Sequence, residues 1–133
     1  MQQLVPDDVT VINKARSGRS SKSYTTEQVY REVMKNIKEG DYVIIQFGHN
    51  DEKADEGRYT NPNGNYLTEG SFANSLYVNY VKPAQEKGVT VVLCTPIVRR
   101  TATGIWEDSN LHITSDSGKF EGGNYAEAIR KMG

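Results

Sequence analysis

Gly48-His49-Asn50-Asp51-Glu52 puts a flexible residue, an imidazole, a neutral amide and two carboxylates in consecutive positions. The glycine lets the backbone turn sharply, and the asparagine offers N–H donors that need no proton shift of their own. Such donors suit a ligand atom on which negative charge appears. The same residues also read as an ordinary loop in which Asn and Asp cap turns, and taken alone they do not choose between the two. A second polar loop, Ala15-Arg16-Ser17-Gly18-Arg19-Ser20-Ser21-Lys22-Ser23-Tyr24, adds further donors.

Both loops follow β-rich runs. Residues 42–47 form a short apolar, β-branched stretch between Gly40 and Gly48, the pattern of a strand buried on both faces of a parallel sheet. Residues 9–12 and 89–95 read the same way. These are expected to be neighbouring parallel strands with Gly18, Asn50 and Pro96 on one edge, the edge where open α/β sheets bind ligands.

Helices are expected between the strands. Thr25 and Gln28 stand in capping-box positions ahead of Val29, Val33, Met34 and Ile37, with Gly40 as the stop. Residues 71–87 carry Phe72, Leu76, Tyr80 and Val81 at helical spacing, with Pro83 as a kink or break and Gly88 as the end. Tyr125, Ala128, Ile129 and Met132 form a last helical face, and Asn124 is its candidate N-cap. This alternation describes a three-layer, flavodoxin-like α/β domain with a parallel sheet. The last helix leads into no further strand, so the expectation is one domain, residues 1–133, truncated at both ends.

Gly-Arg-Ser-Ser-Lys-Ser-Tyr at residues 18–24 and Ile-Ile-Gln-Phe-Gly-His-Asn-Asp-Glu at residues 44–52 resemble the second and third blocks of the SGNH (GDSL-type) hydrolases. Within these the chain is most similar to the rhamnogalacturonan acetylesterase branch, to which Thr95-Pro96-Ile97-Val98-Arg99-Arg100 adds a further likeness. The resemblance implies an SGNH fold and ester hydrolysis by Ser-based acyl transfer, with an acetylated polysaccharide or oligosaccharide as substrate and no cofactor or metal. It implies that Gly18 gives a backbone N–H, and Asn50 a side-chain N–H, to an oxyanion hole. Secretion or a periplasmic location is possible by the same resemblance, although the N-terminus lacks the apolar core of a signal peptide.

The chain departs from the pattern in two places. It contains no Gly-Asp-Ser block for the nucleophile and no Asp-x-x-His block for the catalytic acid and base. By itself it is therefore expected to be inactive. A rival reading is a non-catalytic module that binds a small anion or sugar at the same loops. A triad built from Ser20 or Ser21 with His49 and Asp51 is disfavoured, because the Gly-x-Ser-x-Gly elbow is absent and His49 lies too close to Asp51 in sequence.

Composition excludes other classes. Lys and Arg total 16 against 17 Asp and Glu, a net charge of −1, which leaves no field to attract nucleic acid or an anionic membrane. No run is long enough for a transmembrane helix. Lys14, Arg16, Arg19 and Lys22 lack the spacing of a phosphate loop and read as solvated charges. Cys94, the single cysteine, reads as a buried thiol. The polar stretches 55–70 and 99–123 are candidates for a lid or substrate wall. Trp106 in the second is either a stacking platform for a sugar or a packing residue. Nothing in the sequence gives His112 the acid and nucleophile that a catalytic base needs. The oligomeric state is not legible.

Overall fold

A computed structural model describes residues 4–97 and 112–133. Its frame is a parallel pair of strands, β1 (Tyr42–Gln46) and β2 (Thr90–Cys94), in register from Tyr42 beside Thr90 to Gln46 beside Cys94. Each strand follows a glycine with positive φ, Gly40 and Gly88, and the Gly40 N–H donates to Gly88 O at 3.2 Å. The starts are thereby aligned, and both strands end at one edge. There the Gln46 side-chain amide donates to Thr95 O, and Gly48 lies against Pro96.

The core lies on the side of the sheet that carries Val43, Ile45, Val91 and Leu93. Tyr24, Val29, Phe72, Leu76, Tyr80, Tyr125, Ala128 and Ile129 pack there around Ile45. They come from a 3₁₀ turn (Ser23–Thr26), helices α1 (Gln28–Asn36), α2 (Phe72–Leu76) and α4 (Tyr125–Arg130) and, for Tyr80, the helical segment Tyr77–Val81, with α3 (Lys82–Gln85) packed against β2. Side chains alternate across a strand. Tyr42, 73% exposed, and Ile44, 60% exposed, therefore share the opposite face with half-exposed Val92. The expectation of a strand covered on both faces is thus corrected: among the described residues, helices cover one.

The parallel α/β class holds, as a sheet with one helical layer. Residues 9–12, however, form no strand. Val9 and Ile12 are exposed, and beside Asp7 and Asp8 the segment has too little apolar surface to seat itself on a core. Topology gives a further reason. In the flavodoxin-like order 2-1-3-4-5, strands consecutive in sequence need not be neighbours: position 2 pairs with position 1, not with position 3.

Helix details follow local chemistry. The Thr25 hydroxyl bonds back to Lys22 O, so the expected capping box does not form; α1 starts at Gln28 after Glu27, without a side-chain cap. Ser71 caps α2 by accepting the Asn74 N–H, and Asn124 caps α4 by accepting the Glu127 N–H. Pro83 does not break the helical path. Five residues, Tyr77–Val81, widen into a π-helix before α3. Proline has no N–H to give to the carbonyl four residues back. That carbonyl, Asn79 O, accepts the Tyr30 hydroxyl at 2.8 Å instead.

Candidate functional site

The two loops singled out in the sequence meet through one carboxylate. Gly48 turns with φ of 127°, a conformation that L side chains avoid, and a Cβ there would lie 3.0 Å from the Pro96 ring. The turn sends Asp51 back under the loop, where it is fully buried. One oxygen accepts the Gly48 N–H at 3.0 Å. Both oxygens lie 3.1 Å from the Ser21 N–H, and Oδ1 also takes the Ser21 hydroxyl at 2.5 Å and the Thr60 hydroxyl at 2.9 Å. Asp51 therefore joins the Gly18 loop, the Gly48 loop and the start of the loop after it.

A second shell of hydroxyls holds this tie in place. Tyr80 donates to Ser21 O at 2.6 Å, Ser75 meets the Ser21 hydroxyl at 2.8 Å, and the Tyr125 hydroxyl lies 2.5 Å from Thr60 O and 3.1 Å from Asp51 O. Burial pushes the Asp51 carboxyl above its ordinary range, against the opposing pull of its hydrogen bonds from Ser21, Thr60 and Gly48. Burial likewise raises the Tyr80 and Tyr125 phenols, with neighbouring phenols and Asp51 adding to the effect. Both remain donors at any ordinary pH.

Gly18 and Asn50 flank this tie. Gly18 sits in an exposed turn with φ of 73° and open space around its Cα, and its N–H meets no partner among the described residues. Asn50 is half-buried next to Asp51. Its Oδ1 lies 3.4 Å from Arg58 Nη1, while its Nδ2 donates to nothing among the described residues. Each residue carried forward from the sequence thus has an N–H with no partner among the described residues, close in sequence to a residue of the tie.

The internal triad does not assemble. Ser20 bonds with Ser23, Ser21 is committed to Asp51 and Ser75, and both serines are buried. His49 is exposed and stacks edge-on with His112, ring centres 5.2 Å apart.

Two arrangements escaped the sequence. His112 is buried, with Nδ1 2.9 Å from Glu52 Oε2 and Nε2 2.5 Å from Ile97 O. Nδ1 thus has a carboxylate, and among the described residues Nε2 meets a backbone carbonyl rather than a nucleophile. The second is Arg58 on Asn50. Sixty residues separate His112 from Glu52, and no local pattern encodes such a pairing; the spacing of Asp55 and Arg58, by contrast, is visible as a short-range ion pair.

Stretch 55–70 is pinned to residues 121–122. Tyr59 donates to Glu121 O, Asn61 to the Glu121 carboxylate and Asn63 to Gly122 O. Residues 98–111, and with them Trp106, Arg99 and Arg100, lie outside the described residues. Of the basic cluster, Arg19 pairs with Glu27 and Lys22 reaches Glu56 O. Cys94 is half-buried rather than buried.

Donor-bearing loops at one edge of a parallel pair of strands are compatible with a truncated α/β fold of the SGNH type. More narrowly, the chain is a rhamnogalacturonan acetylesterase-like sequence. It is 37% identical over 98 residues, 74% of its length, to the rhamnogalacturonan acetylesterase RhgT of Bacillus subtilis. It is 35% identical over 96 residues, 71% of its length, to the probable rhamnogalacturonan acetylesterase YesY of the same organism. With a rhamnogalacturonan acetylesterase of Emericella nidulans it shares 31% identity over 132 residues, 90% of its length. These matches span 38%, 41% and 51% of the three relatives, so the chain covers about two fifths to half of each. No family model matches it.

Proposed function

We propose that this chain is the oxyanion-binding portion of a carboxylic ester hydrolase that removes acetyl groups from a rhamnogalacturonan-type polysaccharide or oligosaccharide. The observation that carries the reading is the buried Asp51 tie, which fixes the Gly18 and Asn50 loops to each other at one sheet edge. Similarity to the three acetylesterases supplies the reaction and the substrate class.

In that reaction a serine oxygen attacks the acetyl carbonyl while a histidine takes its proton, and the carbonyl oxygen becomes an oxyanion. Gly18 N–H and Asn50 Nδ2–H stabilise it. The intermediate collapses by breaking the bond to the sugar oxygen, which leaves as the alcohol with the proton from the histidine; water then releases acetate. The serine and histidine belong to blocks that these residues do not contain. Neutral donors fixed before the reaction interact most strongly with charge that exists only in the transition state, so they act on kcat.

The test joins this chain to Gly-Asp-Ser and Asp-x-x-His segments of the family and follows release of acetate. Asn50→Ala in that protein is expected to lower kcat on the order of a hundredfold to a thousandfold with little change in KM. Full activity in a folded variant would remove Asn50 from the oxyanion site. The absence of a nucleophile block favours the second reading, a module that binds a small anion or sugar. Acetate or galacturonate binding to the chain alone, with no turnover in the joined protein, would select it.

A further inference from the structure

We infer that Arg58 is a positioning residue that turns the Asn50 amide so that its N–H₂ end, and not its oxygen, is presented at the sheet edge. The inference rests on the proposed role of Asn50 and adds what gives that side chain its polarity. The two ends of an Asn amide have nearly the same shape, so only hydrogen-bond partners decide which end points where. A guanidinium carries donors alone. The Arg58 Nη1 contact at 3.4 Å can therefore engage only Asn50 Oδ1, leaving Nδ2 as the end with no partner among the described residues.

Arg58 is in turn fixed by Asp55. Nε donates to Asp55 Oδ2 at 2.7 Å, Nη2 lies 2.6 Å from the same oxygen, and the Arg58 N–H donates to Asp55 Oδ1 at 3.0 Å. This hold leaves Nη1 free to meet Asn50. The guanidinium hydrogen bond also holds the Asp55 carboxyl below its ordinary range, which favours its charged form. Arg58 acts on the reaction in two ways. It fixes the amide orientation, and its positive charge on Oδ1 polarises the amide and strengthens Nδ2–H as a donor.

A simple turn pair is the alternative, since half-exposed ion pairs of this spacing contribute little to stability. The two roles separate experimentally. In the ¹⁵N-labelled chain, the Asn50 side-chain N–H₂ resonances are expected to be distinct and slow to rotate, and to move toward free-amide values in Arg58→Ala while the Gly48 and Ser21 backbone resonances stay in place. Unchanged Asn50 side-chain resonances in Arg58→Ala would overturn the inference.

In the joined protein, Arg58→Ala is expected to lower kcat about tenfold to a hundredfold, with KM and the melting temperature nearly constant. It is expected to have almost no further effect in an Asn50→Ala background, because both changes remove one function. A loss that persists undiminished in that background would also overturn the inference. If Asn50→Ala itself leaves kcat intact, the oxyanion reading falls, and the resonance measurement still decides whether Arg58 orients the amide.

Discussion

Asp51 and Asp55 stand four residues apart in one loop and live under opposite physics. Asp51 is fully buried and collects backbone and hydroxyl donors from Ser21, Gly48 and Thr60, whereas Asp55 is half-exposed and holds a single arginine across a short turn. Burial raises the first carboxyl and the guanidinium hydrogen bond lowers the second. The same side chain is thus a structural junction in one place and an adjustable surface partner in the other. What separates them is how many buried donors lose their only acceptor if the carboxylate goes.

That contrast is most directly broken by removal. Asp51→Ala strands the Ser21 and Gly48 N–H groups and the Thr60 hydroxyl in the interior, and is expected to destabilise the chain by about 3 kcal/mol or more in chemical denaturation. Asp55→Ala is expected to leave the denaturation midpoint nearly unchanged. Equal midpoints for the two variants would show that Asp51 is no junction.

Glycine substitutions sharpen the same contrast within the two donor loops. Gly48→Ala meets both an unfavourable φ and the Pro96 ring, with an expected cost of about 2 kcal/mol or more. Gly18→Ala meets open space, so only the cost of a left-handed residue remains, about 1 kcal/mol. The reverse order in thermal denaturation would mean that the Gly18 loop, and not the Gly48 loop, carries the rigid turn.

The smallest expected effect is in pH dependence, where the two carboxyls have opposite signs. Asp51 keeps its proton to higher pH folded than unfolded. Its effect on stability is therefore most favourable below the ordinary carboxylate range and declines as pH rises through its folded value. Asp55 gives up its proton more readily folded. Its contribution is present above the ordinary range and disappears as pH falls through its folded value. Denaturation midpoints of Asp51→Asn and Asp55→Asn across the acid range are expected to deviate from the parent chain with opposite slopes; slopes of one sign would refute the assignment.

The chemistry at residues 18–24 and 44–52 was legible because both stretches join a β-rich run or a strand end to an unusual density of donors, and because Gly-His-Asn-Asp is a specific block. Strands β1 and β2 were also legible, since apolar, β-branched runs between glycines leave few alternatives. Residues 9–12 misled because four residues carry the propensity of a strand yet are exposed at Val9 and Ile12 and form none.

Sequence by itself determined the parallel α/β class, the esterase likeness, the Asn124 cap and the two donor loops, all of which depend on residues close together in the chain. Tertiary structure alone decided that Asp51 binds Ser21, that Glu52 holds His112, that Tyr30 satisfies the carbonyl freed by Pro83, and that one face of β1 stays open among the described residues. The partners in each of those contacts lie 30 or more residues apart, apart from the open face, which reflects where the helices pack. A buried polar group takes whichever partner the folded core brings within reach, and local sequence carries no record of that choice.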